Sequence, residues 1–414
     1  MIIKKLRNGI ILLVSGDNNF QTISTNVSIG YGSIYENPNV NGSAHFLEHM
    51  LFKGTSKRSW KDISNQMRNI GAYSNASTDF ENTNYMTKCF KKYFETSVDI
   101  VSDMIKNSII PIDEFEKERG AIINENLISE NNPRDFGSEY LPKVLFKDYP
   151  AKMPIGGNNK LTIKKISREH LYNIYSEQYA PENIIISVYG GINSDNAINL
   201  LEEHFGDFER KYKHANLNAC NEKQFKKELY VIRKGVTQTR IAIGYKCIGT
   251  QNMSIDEFIA MRIGNTLLSN LAYDEIREKN GLAYDPSGAC NIWKNFGFIS
   301  LDAGVEPKDL KKTKSIMLNI LNLIVNDSIP EEELERARTQ TAIGYKTLRE
   351  NTLLASIVQS GVYSLFNDKT LFDNISNRVE NIKLGSVIKA LQKYIIPDEY
   401  GMVVLSGNKI TEKI

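Results

Sequence analysis

A chain of 414 residues, 41% hydrophobic and 24% charged, has the composition of an ordinary folded protein and is long enough that two domains are expected. Its formal net charge of +2, with Lys and Arg spread along the chain, excludes both the basic excess of a nucleic-acid binder and the acidic excess of a solvating tail. No apolar run approaches the roughly 20 residues that cross a bilayer, so no membrane partner is expected.

In chain order, the apolar run Ile10–Val14 is too brief for a signal peptide and reads as a strand. No Arg-rich amphipathic presequence is evident, and a cytoplasmic location is the expectation. Thr22–Gly32 alternates β-branched residues and reads as a second strand. Ala44–Phe52, Trp60–Ile70, Tyr93–Asn107 and Asp113–Ser129 space their apolar residues as helices do. Ile184–Gly190 is a further strand, and Tyr212–Lys226 lacks periodicity, which suits a linker over 213–226. Beyond it, Glu228–Ile232, Arg240–Cys247 and Met402–Gly407 read as strands, and Ile255–Leu268, Lys308–Val325 and Glu331–Leu348 as helices. Cys89, Cys220, Cys247 and Cys290 form no C-x-x-C pair and fit free thiols in a reducing compartment.

The second half echoes the first. Val27–Tyr31 returns as Ile241–Tyr245, Gly71-Ala-Tyr73 as Leu282-Ala-Tyr284, and Tyr179–Asn183 as Ile395–Glu399. The three pairs keep one order and nearly one offset. The expected fold is therefore α+β: two tandem homologous domains, residues 1–212 and 227–414, each an antiparallel sheet with helices packed on one face.

The chemistry concentrates in Gly42–Phe52. At about 100° per residue, His45 and His49 lie one turn apart on one side of a helix, with Glu48 on the neighbouring flank. Two imidazoles can then share an ion while a carboxylate reaches its water. This H-x-x-E-H spacing is the inverse of H-E-x-x-H, the inverzincin signature. Catalytic zinc needs three protein ligands and one open position. Glu118 and Glu125, two turns apart on the 113–129 helix, share a face; Glu125 can complete the site and Glu118 can orient a ligand. The plain alternative for both is a solvated helix glutamate. His170, His204 and His214 sit among polar residues and are expected at the surface.

Together these residues resemble the pitrilysin and mitochondrial-processing-peptidase family of zinc peptidases. Ala44–Thr55 is similar to that family's metal-binding helix nearly residue for residue, and Glu125 lies in a segment similar to its third-ligand helix. Asn75–Thr78 with Thr83–Tyr85, Pro154–Gly157, Tyr179–Asn183 and Arg277–Tyr284 are further matches, so the likeness covers nearly the whole chain. It implies a half-clamshell, with a catalytic zinc-binding first domain and a non-catalytic second domain that contributes substrate contacts. One Zn²⁺ per chain is implied, because Ala260–Gly264, near where the repeat would place the metal motif, carries no ligand. It also implies that Glu48 is the general base, that Arg277 and Tyr284 contact substrate, and that Asn75, Ala76, Ser77 and Thr78 form the strand on which peptide is laid.

Arg277 has a local alternative, serving a helix C-terminus capped by Gly281, and Tyr284 has another, a packed strand aromatic. The activity implied is metalloendopeptidase action on short or unfolded peptides by a homodimer, a heterodimer being the other arrangement. The rival function is a non-catalytic or substrate-gripping subunit of a processing-peptidase-like complex. A zinc lyase using the inverted motif is disfavoured, since no cysteine lies near it.

Overall fold

The computed structural model describes residues 1–159, 161–236 and 238–407. Residues 408–414 of the expected second domain lie outside them. Two compact units emerge, neither contiguous in sequence. The first comprises Met1–Asn126, Met153–Leu217 and Thr347–Asp373; the second comprises Leu127–Lys152, Asn218–Lys346 and the segment from Asn374 onward. Residues 208–226 carry no regular secondary structure. Among the described residues, no helix is long and apolar enough to cross a membrane.

In the first unit six strands form one sheet: β1 (Ile2–Lys5), β2 (Ile11–Gly16), β3 (Thr22–Ile29), β4 (Tyr73–Thr78), β5 (Thr83–Phe90) and β6 (Ile184–Gly190). Their order is β1-β2-β6-β3-β5-β4. The second unit holds β7 (Lys227–Ile232), β8 (Thr239–Ile248), β9 (Ser287–Ile292), β10 (Phe296–Val305) and β11 (Gly401–Ser406), in the order β7-β11-β8-β10-β9. Apart from β1, the second order repeats the first strand for strand, as the sequence echoes anticipate. The expected two-unit α+β fold stands, with one refinement: each sheet is mixed. β2 pairs β6 in parallel, and β7 pairs β11 likewise.

A second refinement concerns the faces. Along β3, Ile23 to Ile29 are buried without interruption, so the strand is covered on both sides. Ile23, Val27 and Ile29 join the apolar core with the helix Ser43–Leu51. Ser24 and Asn26 meet a helix from far along the chain, Thr352–Phe366. That contact is a hydrogen-bonded seam. Thr352 Oγ1 lies 2.9 Å from Ser24 Oγ, and Asn26 Nδ2 donates to Ser360 Oγ at 2.8 Å. Gln359, fully buried, accepts from Ser15 Oγ at 2.6 Å and donates to the Leu13 carbonyl and Ser187 Oγ, both at 3.0 Å. Buried polar groups persist only when paired, and here the pairs are complementary across helix and sheet.

The second unit solves the same problem with the helix Pro133–Leu145, from the first half of the sequence. Small residues admit it: a Cβ at Gly244 would run into Leu141, and one at Gly401 into Leu145. Lys246 Nζ donates to the Leu145 carbonyl at 2.8 Å. Each sheet is thus covered on its second face by a helix drawn from the other half of the chain.

Replacing Gln359 with Ala removes three hydrogen bonds and leaves buried partners unsatisfied. The expected loss is about 2–4 kcal/mol, read as a lower urea midpoint for the transition of the first unit.

Candidate metal centre

The helix Ser43–Leu51 begins at Gly42, which has φ +96° and no side chain to cap it. The buried Glu36 carboxylate takes that role, accepting from the backbone N–H of Gly42 at 2.7 Å and of Ala44 at 2.6 Å, and from Asn41 Nδ2 at 2.8 Å. A carboxylate at a helix N-terminus satisfies orphan donors and favours the dipole. Burial pushes the Glu36 carboxyl up to about 7, against the pull of those N–H donors. Phe46, Leu47, Met50 and Leu51 are fully buried, which anchors the helix and turns His45, Glu48 and His49 to its other side.

The second ligand helix, Ile112–Asn131, is clamped onto the first. Phe46 stacks on Phe115 with ring centroids 4.8 Å apart, and the Arg119 guanidinium lies 4.9 Å from the Phe115 centroid and 5.4 Å from that of Phe46. Arg119 also donates to the carbonyls of Ile163 and Ile166. The loop around Pro154–Gly157 touches both helices. A Cβ at Gly42 would strike the backbone of Gly156 and Gly157, and Gly157 itself has φ +74°. Asn126 Nδ2 donates to the Gly156 carbonyl at 2.9 Å.

This framework brings His45, His49 and Glu125 together, all candidate ligand atoms within 4.8 Å of one another. The two Nε2 atoms are 3.2 Å apart. Glu125 Oε2 is 3.4 Å from His49 Nε2, and Oε1 is 3.8 Å from His45 Nε2. A tetrahedral zinc site with bonds of about 2.0 Å has edges of about 3.3 Å. The His45–His49 and His49–Glu125 separations are close to that and the His45–Glu125 one is longer, so the donor set suits the ion with a small shift of Glu125. His49 Nδ1 pairs with Glu118 Oε1 at 2.9 Å, and Lys53 Nζ holds the other Glu118 oxygen at 2.5 Å. That contact fixes the His49 tautomer and aims its Nε2 at the ligand cluster. His45 Nδ1 is buried without a partner among the described residues, so no carboxylate orients this ring from behind as Glu118 orients His49.

The electrostatics are polarised. Burial and the charge of His49 push the His45 imidazole down to about 4. His49 goes the other way, to about 9: burial opposes its charge, but hydrogen bonds to Glu118 and Glu125 outweigh it. Glu125 is held below the usual carboxylate range, first by its hydrogen bond to His49. Glu48, 7% exposed, is raised by burial against the hydrogen bond that Thr78 Oγ1 donates to its Oε2 at 2.6 Å.

Asn75, Ala76, Ser77 and Thr78 all fall on β4, the edge of the first sheet, with Asn75 and Ser77 exposed and Ala76 and Thr78 half-buried. Thr78 was expected only as part of a peptide-binding strand, yet its hydroxyl holds Glu48; an exposed-looking Thr on a polar strand gave no signal of that. Sequence reasoning also missed Lys53 and the Phe115–Arg119 clamp, whose partners lie far away in the chain, and Glu36, whose partners are close by but whose capping contact lies outside the helix it caps.

Arg277 and Tyr284 lie in the second unit. The helix Ile255–Ala272 continues through a π-helical turn, Tyr273–Glu278, and Gly281, at φ +63°, ends it by donating to the Arg277 carbonyl at 2.8 Å. Gly281 thus caps this helix, but the Arg277 side chain reaches past the helix end to the Tyr284 carbonyl. The packed-aromatic alternative does not hold: Tyr284 is 73% exposed. Arg277 Nη1 donates to the Tyr284 carbonyl at 3.1 Å, and its guanidinium lies 4.6 Å from the Tyr284 ring centroid. Both line a cleft of about 510 Å³ with Gln238, Val305 and Glu306. The segment Ala260–Gly264 is helical and largely buried, with no ligand in it. His170 and His204 are half-buried and His214 exposed; none joins the metal cluster.

Comparison with known proteins agrees. Two family models match: insulinase (peptidase family M16) over residues 12–159, and the peptidase M16 inactive domain over residues 165–341. An uncharacterized zinc protease of Bacillus subtilis, YmxG, is 27% identical over 404 residues, 97% of each chain. The beta subunit of the human mitochondrial-processing peptidase is 29% identical over 338 residues, 79% of this chain and 68% of that subunit. The crystal structure of a protease from Helicobacter pylori has the same fold, with a TM-score of 0.88 at 20% identity and 98% of both chains covered. Both halves of the sequence are accounted for, and the chain belongs to the insulinase family, peptidase family M16.

Proposed function

We propose that the chain is a zinc metalloendopeptidase that hydrolyses short or unfolded peptides. The observation that carries this reading is the juxtaposition of a three-donor cluster, His45, His49 and Glu125, with a buried carboxylate, Glu48, steadied by Thr78. An ion there would supply Lewis acidity and make a water acidic near neutral pH.

The chain's own residues carry the remaining steps. Glu48 takes the proton from the attacking water and delivers it to the leaving amine. Its burial favours the protonated form it must adopt between those events, while the Thr78 hydroxyl fixes which oxygen faces the reaction. Glu118 keeps His49 oriented through Nδ1. β4 leaves one edge unpaired, and a peptide added there is gripped through its backbone, which suits tolerance of many sequences. By the family resemblance, Arg277 and Tyr284 contact substrate as donors to a peptide carbonyl.

The rival reading, a non-catalytic subunit, draws on the inactive-domain description of residues 165–341. That stretch contains Ala260–Gly264, which has no ligand, whereas the candidate ligands and base all precede residue 126. A full ligand set with its base in place favours the catalytic reading. We further assign the enzyme to the cytoplasm as a homodimer that clears peptides; the four unpaired thiols suit a reducing compartment.

Glu48→Gln is expected to retain its zinc while peptide cleavage falls about 10²–10⁴-fold; full activity in that variant overturns the assignment. Glu125→Ala is expected to purify without metal by elemental analysis. Glu118→Ala keeps all three donors but is expected to bind zinc about 10- to 100-fold more weakly in competition with a chromophoric chelator. Size-exclusion chromatography with light scattering is expected to return twice the chain mass; monomer alone contradicts the dimer.

A further inference from the structure

The segment that carries Tyr284 has little structure of its own. Between the turn at Gly281 and the start of β9, its regular pairing is the single bridge Ala283–Val305. A side chain 73% exposed on such a segment keeps its place only if the backbone beside it is tied down. The tie follows immediately in sequence. Asp285 Oδ2 accepts from Arg240 Nη1 at 3.2 Å and lies 3.5 Å from Arg134 Nε.

Arg240 is itself nearly fully buried, its side chain 6% exposed, and it reaches along β8 to touch the Asp302 carboxylate on β10 as well. The helix Pro133–Leu145 closes over this cluster at Gly137, where any Cβ would collide with the Asp302 carboxylate. Two arginines and two aspartates thus balance in charge. An ion-pair network buried at its Arg240–Asp302 end adds little net stability, because desolvation offsets the attraction there, but breaking that end leaves a charge stranded. What the network does fix is position. Its outer end is the residue after Tyr284, and its inner end is anchored to two central strands and a helix.

We propose that Arg240 and Asp285 are positioning residues for peptide binding, holding the Tyr284 segment so that Tyr284 and Arg277 present a fixed pair of donors at the cleft. The inference rests on the peptide-binding role given above to those two residues. Neither Arg240 nor Asp285 touches peptide. Arg277 grips the segment from one side, through the Tyr284 carbonyl, and Asp285 grips it from the other. Loss of the second grip lets the ring and the guanidinium separate.

The test uses the full zinc-loaded chain carrying Glu48→Gln, so that a fluorescein-labelled unfolded peptide binds without turnover, with affinity read by anisotropy. Asp285→Asn is chosen because Asp285 is partly exposed and the change is nearly isosteric; an unchanged melting curve certifies the fold. Its expected effect is about a tenfold rise in Kd, since small misplacements of positioning groups cost one to two orders of magnitude. In a Tyr284→Phe background the same change is expected to weaken binding less than about twofold further, the coupling that marks two residues acting through one. Asp285→Glu is expected to restore part of the affinity. An unchanged Kd in Asp285→Asn, an equal loss in both backgrounds, or no peptide binding by the parent chain overturns the proposal. Peptide binding that follows the expected pattern, in a chain whose Glu48 form shows no chelator-sensitive cleavage, sinks the peptidase reading and leaves this one standing.

Discussion

Two histidines one turn apart make half of the candidate metal site, and the rest of that site depends on holding a glutamate from a second helix at the right distance from them. The Phe46–Phe115 stack fixes that separation, with Arg119 lying over the rings and bonded to the carbonyls of Ile163 and Ile166. Stacked rings resist sliding as well as separation, and a guanidinium on their face adds attraction without needing burial of an unpaired charge. The loop after Met153 supplies a second brace, packed on Gly42 at one end and bonded to Asn126 at the other. The loop brace meets both helices within a turn of His45 and Glu125, while the aromatic brace meets the first beside His45 and the second about three turns before Glu125. Rigidity there matters more than elsewhere, because donors displaced by even 1 Å no longer describe one coordination sphere.

Charge explains why the cluster is assembled as it is. Three carboxylates, Glu48, Glu118 and Glu125, converge on two imidazoles and one lysine. Each acid has a different partner and so a different duty. Glu118 is shared between His49 and Lys53 and is kept ionised by them, desolvation notwithstanding. Glu125 is half exposed and its oxygens face the two Nε2 atoms. Glu48 is the buried one, hydrogen-bonded to a neutral hydroxyl and feeling the His49 charge without a direct ion pair to it. A carboxylate without a dedicated cation gives up and takes back a proton more readily than one locked in an ion pair, which suits the acid–base role proposed for Glu48.

Much of this was legible in the sequence, for reasons that are local. The helices bearing the motif and Glu125 fell within a few residues of their observed ends, since their apolar periodicity and the packing it serves coincide. The repeat was readable because both copies build the same strand order. What escaped is what depends on distant residues. Ser24, Asn26 and Ser187 alternate with apolar neighbours, and alternation alone assigns them to solvent; in fact they face Thr352, Ser360 and Gln359, more than a hundred residues away. The parallel pairing of β2 with β6 was invisible for the same reason. Nothing in the sequence marks Glu36, because a cap supplied from outside the helix leaves no trace at the N-cap position.

The two units show one framework put to different ends. Asn26 and Arg240 occupy matching places one residue before the repeated strand motif, and both point at a helix borrowed from the other half of the sequence. In the first unit that covered face is neutral, with hydroxyls and amides satisfying one another. In the second it carries the ion pairs of Arg240 with Asp302 and Asp285. The apolar faces diverge in the opposite sense: the first offers His45, Glu48 and His49 from its leading helix, while its counterpart, Ala260–Gly264, is packed and carries no donor for a metal. Polar chemistry therefore sits on opposite sides of the two sheets. A sheet with both faces covered can afford one such departure, because the remaining face still supplies the apolar burial that holds the unit together.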